Sequence, residues 1–144
     1  MTTRAEFVAE VRKWIGTPFH HEGRALGVGC DCAGPLIEAT RALGLADVVA
    51  QNYPKQPTGH ALEAYCDAHM VRIDPGSVQP GDVGVFRYDG DPTHIAIFAD
   101  HPNGGLSIIH ALGRSGRGKV IEQRFTPDDK TKRLAVAYRI PGLE

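Results

Sequence analysis

The chain has 144 residues, of which 42% are hydrophobic, and this length and composition suit one compact domain with an apolar core over residues 1–144. Its 16 basic and 17 acidic side chains nearly cancel, which argues against nucleic-acid binding, and no apolar stretch is long enough for membrane insertion. A partner is therefore expected to be recognised by a pocket.

The start of the chain and its cysteines predict synthesis in the cytoplasm. Residues 1–6 include an acidic side chain and are not followed by the apolar run of a signal peptide. The three cysteines cannot all pair with one another, and Cys30 and Cys32 are too close in sequence for a relaxed disulfide to be the default. A reducing compartment fits this cysteine content.

Three helices are predicted in the first half of the chain. Thr3 and Glu6 form a capping-box pattern, and apolar residues follow it at helical spacing. A second helix is predicted to have Cys32 in its first turn and to end at Gly44. A third is predicted from four residues at helical spacing: Ala61, Leu62, Tyr65 and His69. The glycines and paired histidines of residues 17–29 predict a loop between the first two helices.

Beyond the third helix the pattern changes to that of strands. Six strands are predicted, over residues 71–73, 83–88, 94–99, 106–112, 120–125 and 134–140. Glycine, proline, asparagine and aspartate occupy the turns between them. Helices grouped before an antiparallel sheet indicate an α+β domain.

Cys32 is the candidate nucleophile. At a helix N-terminus, unpaired amides and the positive end of the helix dipole favour the thiolate, and the backbone N–H of Cys32 would point toward a developing oxyanion. Asp31 is a preferred N-cap residue, whose carboxylate is expected to bind backbone amides two or three residues on, while its charge opposes thiolate formation. The alternative is that Cys32 is a small buried hydrophobic residue.

His94 and His110 are the candidate partners of this thiol. A hairpin that pairs its strands symmetrically about Pro102 would place the two histidines directly opposite each other. Cross-strand Cβ atoms lie about 4.5–5.5 Å apart, so one imidazole could hold a ring nitrogen of the other. A slip of one residue would send the rings to opposite faces. The alternative for each is a core histidine that binds a backbone carbonyl.

A metal site that includes Cys32 is the competing interpretation. Cys30, Cys32, His20 and His21 are of donor types that zinc accepts. However, Cys-x-Cys with two adjacent histidines lacks the spacing of established zinc sites. We therefore expect neither a metal nor a cofactor.

Five short motifs follow one another along the chain. They are Gly16-Thr17-Pro18-Phe19, Asp31-Cys32-Ala33-Gly34, Pro80-Gly81-Asp82, Thr93-His94-Ile95-Ala96-Ile97-Phe98 and Ile109-His110-Ala111. In this order they resemble the NlpC family, papain-like cysteine peptidases of the bacterial cell wall. The Gly-Thr-Pro element and compact form look most like the branch encoded by tailed phages and gene transfer agents. The resemblance implies a papain-like single domain, with the nucleophile at a helix N-terminus and about six antiparallel strands.

The resemblance also implies a reaction and a setting. It implies that Cys32 is the nucleophile, that His94 is the general base and later the acid, and that His110 orients His94. The implied reaction is hydrolysis of an amide in a peptidoglycan stem peptide through a thioester. Phage-like tail proteins are implied partners, so that the protein would act at the cell wall as part of a tail particle.

Two positions depart from the pattern of the family. In this family an aromatic residue with a hydroxyl often follows the Gly-x-Pro element and helps to stabilise the oxyanion. This chain has Phe19 at that position, which leaves His20 or His21 as the donor. Members that grip the free amine of a stem peptide commonly use the Asp before the nucleophile and a Ser after it, whereas this chain has Asp31 and Ala33. A catalytically silent module for tail assembly or wall binding therefore stays open, as does another acyl-transfer enzyme on the same scaffold.

Overall fold

The computed structural model describes residues 2–20, 23–45, 61–87, 94–111 and 118–144. Among these residues, the α-helices are α1 (Arg4–Arg12), α2 (Gly34–Ala42) and α3 (Ala61–His69). All three lie in the regions where the apolar spacing predicts them, although α2 begins later than predicted. A 3₁₀ turn, Pro75–Ser77, and a π-helical turn, Asp129–Arg133, lie between strands.

Helix α1 begins with the predicted cap. The hydroxyl oxygen of Thr3 accepts a hydrogen bond from the backbone N–H of Glu6 at 3.1 Å, which satisfies one of the amides that a helix start leaves unpaired. Phe7, Val8 and Val11 are buried along one face of the helix. This face attaches the start of the chain to the sheet.

A short ribbon precedes the second helix, where the sequence predicts only a loop. Its strands are β1 (Arg24–Ala25) and β2 (Gly29–Cys30), which pair antiparallel. Two-residue strands are too short to show the alternation from which a strand is predicted, so the loop prediction is wrong here. Backbone contacts outside the ribbon also hold β2, since Phe19 forms a parallel bridge with Cys30.

The main sheet has six antiparallel strands in the order β3-β8-β4-β5-β6-β7. The strands are β3 (Val71–Ile73), β4 (Val83–Phe86), β5 (His94–Asp100), β6 (Leu106–Ala111), β7 (Val120–Arg124) and β8 (Leu134–Arg139). All six predicted strands are present, with ends shifted by two residues at most. The predicted α+β class with about six antiparallel strands is confirmed.

Both faces of the sheet are covered by apolar side chains. The larger cluster, which we call the helix-side core, joins the helices to the sheet through residues such as Phe7, Leu36, Leu62 and Ile97. On the opposite face, a smaller group that we call the outer cluster contains four buried residues: Phe86, Ala96, Phe98 and Ile108. Strands buried on both faces have the nearly continuous apolar sequences seen in β5 and β6.

The β5–β6 hairpin is centred one residue later than predicted. Its last pair is Asp100 opposite Leu106, so the hairpin is symmetric about Asn103 and not about Pro102. Gly104 and Gly105 both have positive φ, at 92° and 78°, and this left-handed backbone closes a five-residue connection. The partner of every β5 residue is therefore displaced by two positions from the prediction.

Candidate active site

His94 and His110 are in contact, as the sequence predicts. Nε2 of His94 lies 2.7 Å from Nδ1 of His110, and the ring planes cross at 68° with their centroids 5.0 Å apart. The contact is diagonal, because the register places Ile109 opposite Ile97 and hence His110 one step on, beside Ala96. The prediction that the histidines lie directly opposite each other is wrong.

The displaced register preserves the contact because side chains alternate with a period of two. A shift of two positions returns each side chain to the same face, whereas a shift of one would have separated the rings. Diagonal neighbours in a sheet are about 7–8 Å apart at Cα, which long and aromatic side chains can span. Both rings therefore lie on the face of the outer cluster.

Both imidazoles are held in the neutral form. Burial lowers the pKa of His94 below its ordinary value, and the neighbouring His110 lowers it further. Burial also lowers the pKa of His110, although the nearby carboxamide of Gln123 and the negative charge of Asp129 oppose part of that shift. At neutral pH the pair therefore has an unprotonated nitrogen that can accept a proton.

Asp31 organises the turn that carries Cys32. Its Oδ1 atom accepts hydrogen bonds from the backbone N–H groups of Ala33, at 3.2 Å, and Gly34, at 2.9 Å, as predicted for a capping aspartate. Helix α2 begins at Gly34, so Cys32 lies in the turn before the helix and not in its first turn. The helix starts this late because Asp31 already takes these amides and Pro35 fits the first turn.

Cys32 is the most accessible of the three cysteines. It is half-buried and packs against the helix-side core, whereas Cys30 and Cys66 are buried, and all three are free thiols. Burial raises the pKa of the Cys30 and Cys66 thiols to about 12. The negative charge of Asp31 adds to the shift of Cys30, and that of Asp67 adds to the shift of Cys66. The two buried thiols are therefore unreactive near neutral pH.

The predicted substrate-binding residues lie around this turn. Phe19 is half-buried against the helix-side core, and His20, which is exposed, donates its backbone N–H to the carbonyl of Cys30 at 2.9 Å. Ala33 is fully buried. Phe19 and His20 thus lie beside the strand that leads into Cys32, while His21 lies outside the described residues.

Sequence reasoning missed the polar groups behind His110. Gln123 on β7 and Asp129 in the π-helical turn were not singled out, yet both act on the pKa of His110. The available signal was a glutamine on the same strand face as the apolar residues Ile121 and Phe125.

Within the described ranges, no group of three or more His, Cys, Asp and Glu side chains is arranged to hold a metal ion. Over the same residues, no helix is long and apolar enough to cross a membrane.

Comparison with known proteins gives matches at the level of structure. No family model and no curated protein matches the sequence. The NlpC/p60 domain of the peptidoglycan hydrolase SagA is similar over 96% of this chain and 100% of its own, with a TM-score of 0.63 and 22% identity. NlpC2 from Trichomonas vaginalis is similar over 97% of this chain and 48% of its own, with a TM-score of 0.67 and 17% identity.

A third structure, described as similar to a lipoprotein of the NLP/P60 family from Staphylococcus aureus, matches 95% of this chain with a TM-score of 0.63 and 18% identity. This chain spans only 41% of that protein, although it spans the whole of the SagA domain. These likenesses define the class of fold: the chain has the papain-like fold of NlpC/p60 domains.

Proposed function

We propose that this protein is a cysteine peptidase of the NlpC family that hydrolyses an amide bond in peptidoglycan stem peptides. The observation that carries the proposal is the 2.7 Å hydrogen bond between His94 and His110 on an NlpC/p60 fold. A base held in orientation by a second group is what a thiol nucleophile requires. The description of SagA as a peptidoglycan hydrolase supports the substrate class.

In the proposed reaction, Cys32 and His94 meet at the edge of the sheet where β5 begins, since His94 is the first residue of that strand. Cys32 transfers its proton to Nδ1 of His94, because Nε2 of that ring is engaged with His110. The sulfur attacks the carbonyl carbon, and the backbone N–H of Cys32 stabilises the oxyanion. His94 then returns the proton to the leaving amine, the C–N bond breaks and a thioester remains. Water, deprotonated by His94, attacks the thioester, which releases the acid and restores the thiol.

The proposed setting is a phage-like tail. Its support is the resemblance of the Gly16-Thr17-Pro18 element to the tail-associated branch of the family. In this proposal the protein is made in the cytoplasm, joins other tail proteins and acts on the cell wall when the particle arrives.

Digestion of purified peptidoglycan tests the proposed activity. We expect the wild type to release peptide fragments that mass spectrometry identifies, and Cys32→Ala and His94→Ala to release none. His110→Ala should keep a rate reduced about a hundredfold, because only the orientation of the base is lost. Cys66→Ala removes a buried thiol instead and should retain activity.

Two outcomes would contradict the proposal. Activity that survives Cys32→Ala would remove Cys32 as the nucleophile. A wild type that is folded by circular dichroism but cuts no peptidoglycan would favour the catalytically silent module, for which the absence of a hydroxyl at Phe19 is the supporting observation.

A further inference from the structure

One ring nitrogen of His110 is buried without a partner. The side chain is 1% exposed, and Nδ1 is the atom that contacts His94. Among the described residues, Nε2 of His110 is the one buried side-chain nitrogen or oxygen that makes no hydrogen bond. A buried polar atom without a hydrogen bond costs free energy, so a neighbouring group is expected to bind it.

The two nitrogens of His110 are linked through its tautomer. If His94 is to accept a proton at Nδ1, its Nε2 carries a hydrogen and donates it to His110. Nδ1 of His110 must then be the acceptor, which places the single hydrogen of this neutral ring on Nε2. The productive tautomer therefore depends on an acceptor for the N–H at Nε2.

Gln123 is placed to provide that acceptor. It lies opposite Ile108 on the β6–β7 ladder, while Ile121 lies opposite His110. Cross-strand partners share a face, so Gln123 and His110 are diagonal neighbours on the face of the outer cluster. The half-buried carboxamide also opposes the lowering of the pKa of His110, as an acceptor beside Nε2 does.

Asp129 is the alternative acceptor, but each of its oxygens already accepts one hydrogen bond that holds the carboxylate in place. Oδ1 receives a hydrogen bond from Arg133 at 2.9 Å, and Oδ2 receives one from the backbone N–H of Thr126 at 3.0 Å. This buried carboxylate acts on His110 through its charge. In the described part of the chain, no hydrogen bond to another side chain holds the Gln123 carboxamide, so its oxygen is available to Nε2.

We propose that Gln123 is a positioning residue whose carboxamide oxygen accepts the hydrogen on Nε2 of His110 and thereby fixes the tautomer that orients His94. The consequence for catalysis rests on the proposed peptidase function, whereas the tautomer itself does not. In this role Gln123 acts through His110, and not on the substrate or the thiol.

Nitrogen NMR of histidine-labelled protein tests the tautomer directly. In the wild type at neutral pH, we expect His110 to show a protonated Nε2 and an unprotonated Nδ1. Gln123→Leu should move the spectrum toward a mixture of tautomers, and Gln123→Glu, which keeps an acceptor, should restore the wild-type pattern. Ile121→Leu is the matched control, because Ile121 lies directly opposite His110 and offers no hydrogen-bond partner.

Kinetics supply the second readout. Gln123→Leu should lower kcat about ten- to a hundredfold with KM nearly unchanged, while Gln123→Glu recovers most of the rate. A wild-type spectrum with the hydrogen on Nδ1 of His110, or a spectrum that Gln123→Leu leaves unaltered, would overturn the proposal. The spectrum does not need turnover, so a protein that fails to cut peptidoglycan still gives a decisive result.

Discussion

The charge of Asp31 has two opposite effects on its surroundings. Its carboxylate caps the amides of Ala33 and Gly34, which stabilises the turn that carries Cys32. The same charge raises the pKa of the neighbouring Cys30 thiol. A carboxylate one residue from the proposed nucleophile therefore stabilises the turn and disfavours a thiolate in it.

Asp31→Asn separates these effects, because asparagine keeps the accepting oxygen and removes the charge. We expect the pKa of the Cys32 thiol to fall, so that iodoacetamide labels it about two- to fivefold faster at neutral pH. Peptide mass spectrometry should find Cys32 as the one rapidly labelled site. Slower labelling of Asp31→Asn, or equal labelling of all three cysteines, would contradict this account.

Asp31→Ala is the matched variant, since it removes both the charge and the acceptor. Its loss of the cap should lower the free energy of unfolding by about 1 kcal/mol in urea, a loss that Asp31→Asn should largely avoid.

Strand β4 carries a glycine because the outer cluster leaves no room for a side chain there. A Cβ on Gly84 would lie 2.6 Å from Cε1 of Phe86 and 3.0 Å from Cε2 of Phe98. Both rings are fully buried, and Phe98 also makes an edge contact with Phe125 at 5.1 Å. Rings held in this way cannot move aside without disturbing the face that carries the histidine pair.

Gly84→Ala should therefore lower the free energy of unfolding by about 1–3 kcal/mol, the usual cost of overpacking. Thermal or urea unfolding measures the change. Gly76→Ala is the control, because the nearest atom to its added Cβ is 3.6 Å away and its effect should stay within about 0.5 kcal/mol. Equal stabilities for the two variants would show that the rings of the outer cluster can move aside to admit a methyl group.

Distant parts of the molecule are joined at Asp82. This carboxylate is fully buried, and it binds Arg4 at the start of α1 at 2.9 Å and Arg139 at the end of β8 at 2.9 Å. Burial alone would raise the pKa of Asp82, but the hydrogen bonds from Arg139 and Arg4 hold it below its ordinary value. Stability is therefore coupled to the ionisation of Asp82.

Asp82→Asn should lower the free energy of unfolding by about 1.5–3 kcal/mol near neutral pH, because two charge-assisted contacts are lost. A carboxyl with a lowered pKa stabilises the fold above the unfolded value of about 4, and the effect is lost as pH falls through the folded value. The difference in Tm between wild type and variant should thus shrink below about pH 4.

Asp67→Asn is the control for this comparison, since the ion pair of Asp67 with Arg72 is largely exposed and should contribute less than about 1 kcal/mol. A difference in Tm for Asp82→Asn that stays constant down to about pH 2.5 would show that Asp82 is not the group responsible.

The elements of this fold could be predicted because their signals are local. The Thr3 cap, the apolar faces of the helices and the alternation in the strands depend on residues within a few positions of one another. The two-residue ribbon was missed because its pairing comes from contacts across the chain, such as Phe19 with Cys30. The start of α2 was placed too early because Asp31 closes a turn before the helix.

The amino-acid sequence by itself determined the element order, the α+β class and the choice of Cys32, His94 and His110 as candidates. It also predicted that the two histidines share a face, and this prediction holds for any register that differs by an even number of positions, because side chains alternate with a period of two. Only the tertiary structure decided the register, since the pairing runs on to Asp100 and Leu106 around a five-residue turn with two left-handed glycines, which displaces the partners by two positions. It alone brought Gln123 beside His110, because neighbours across strands depend on that register and not on proximity in sequence.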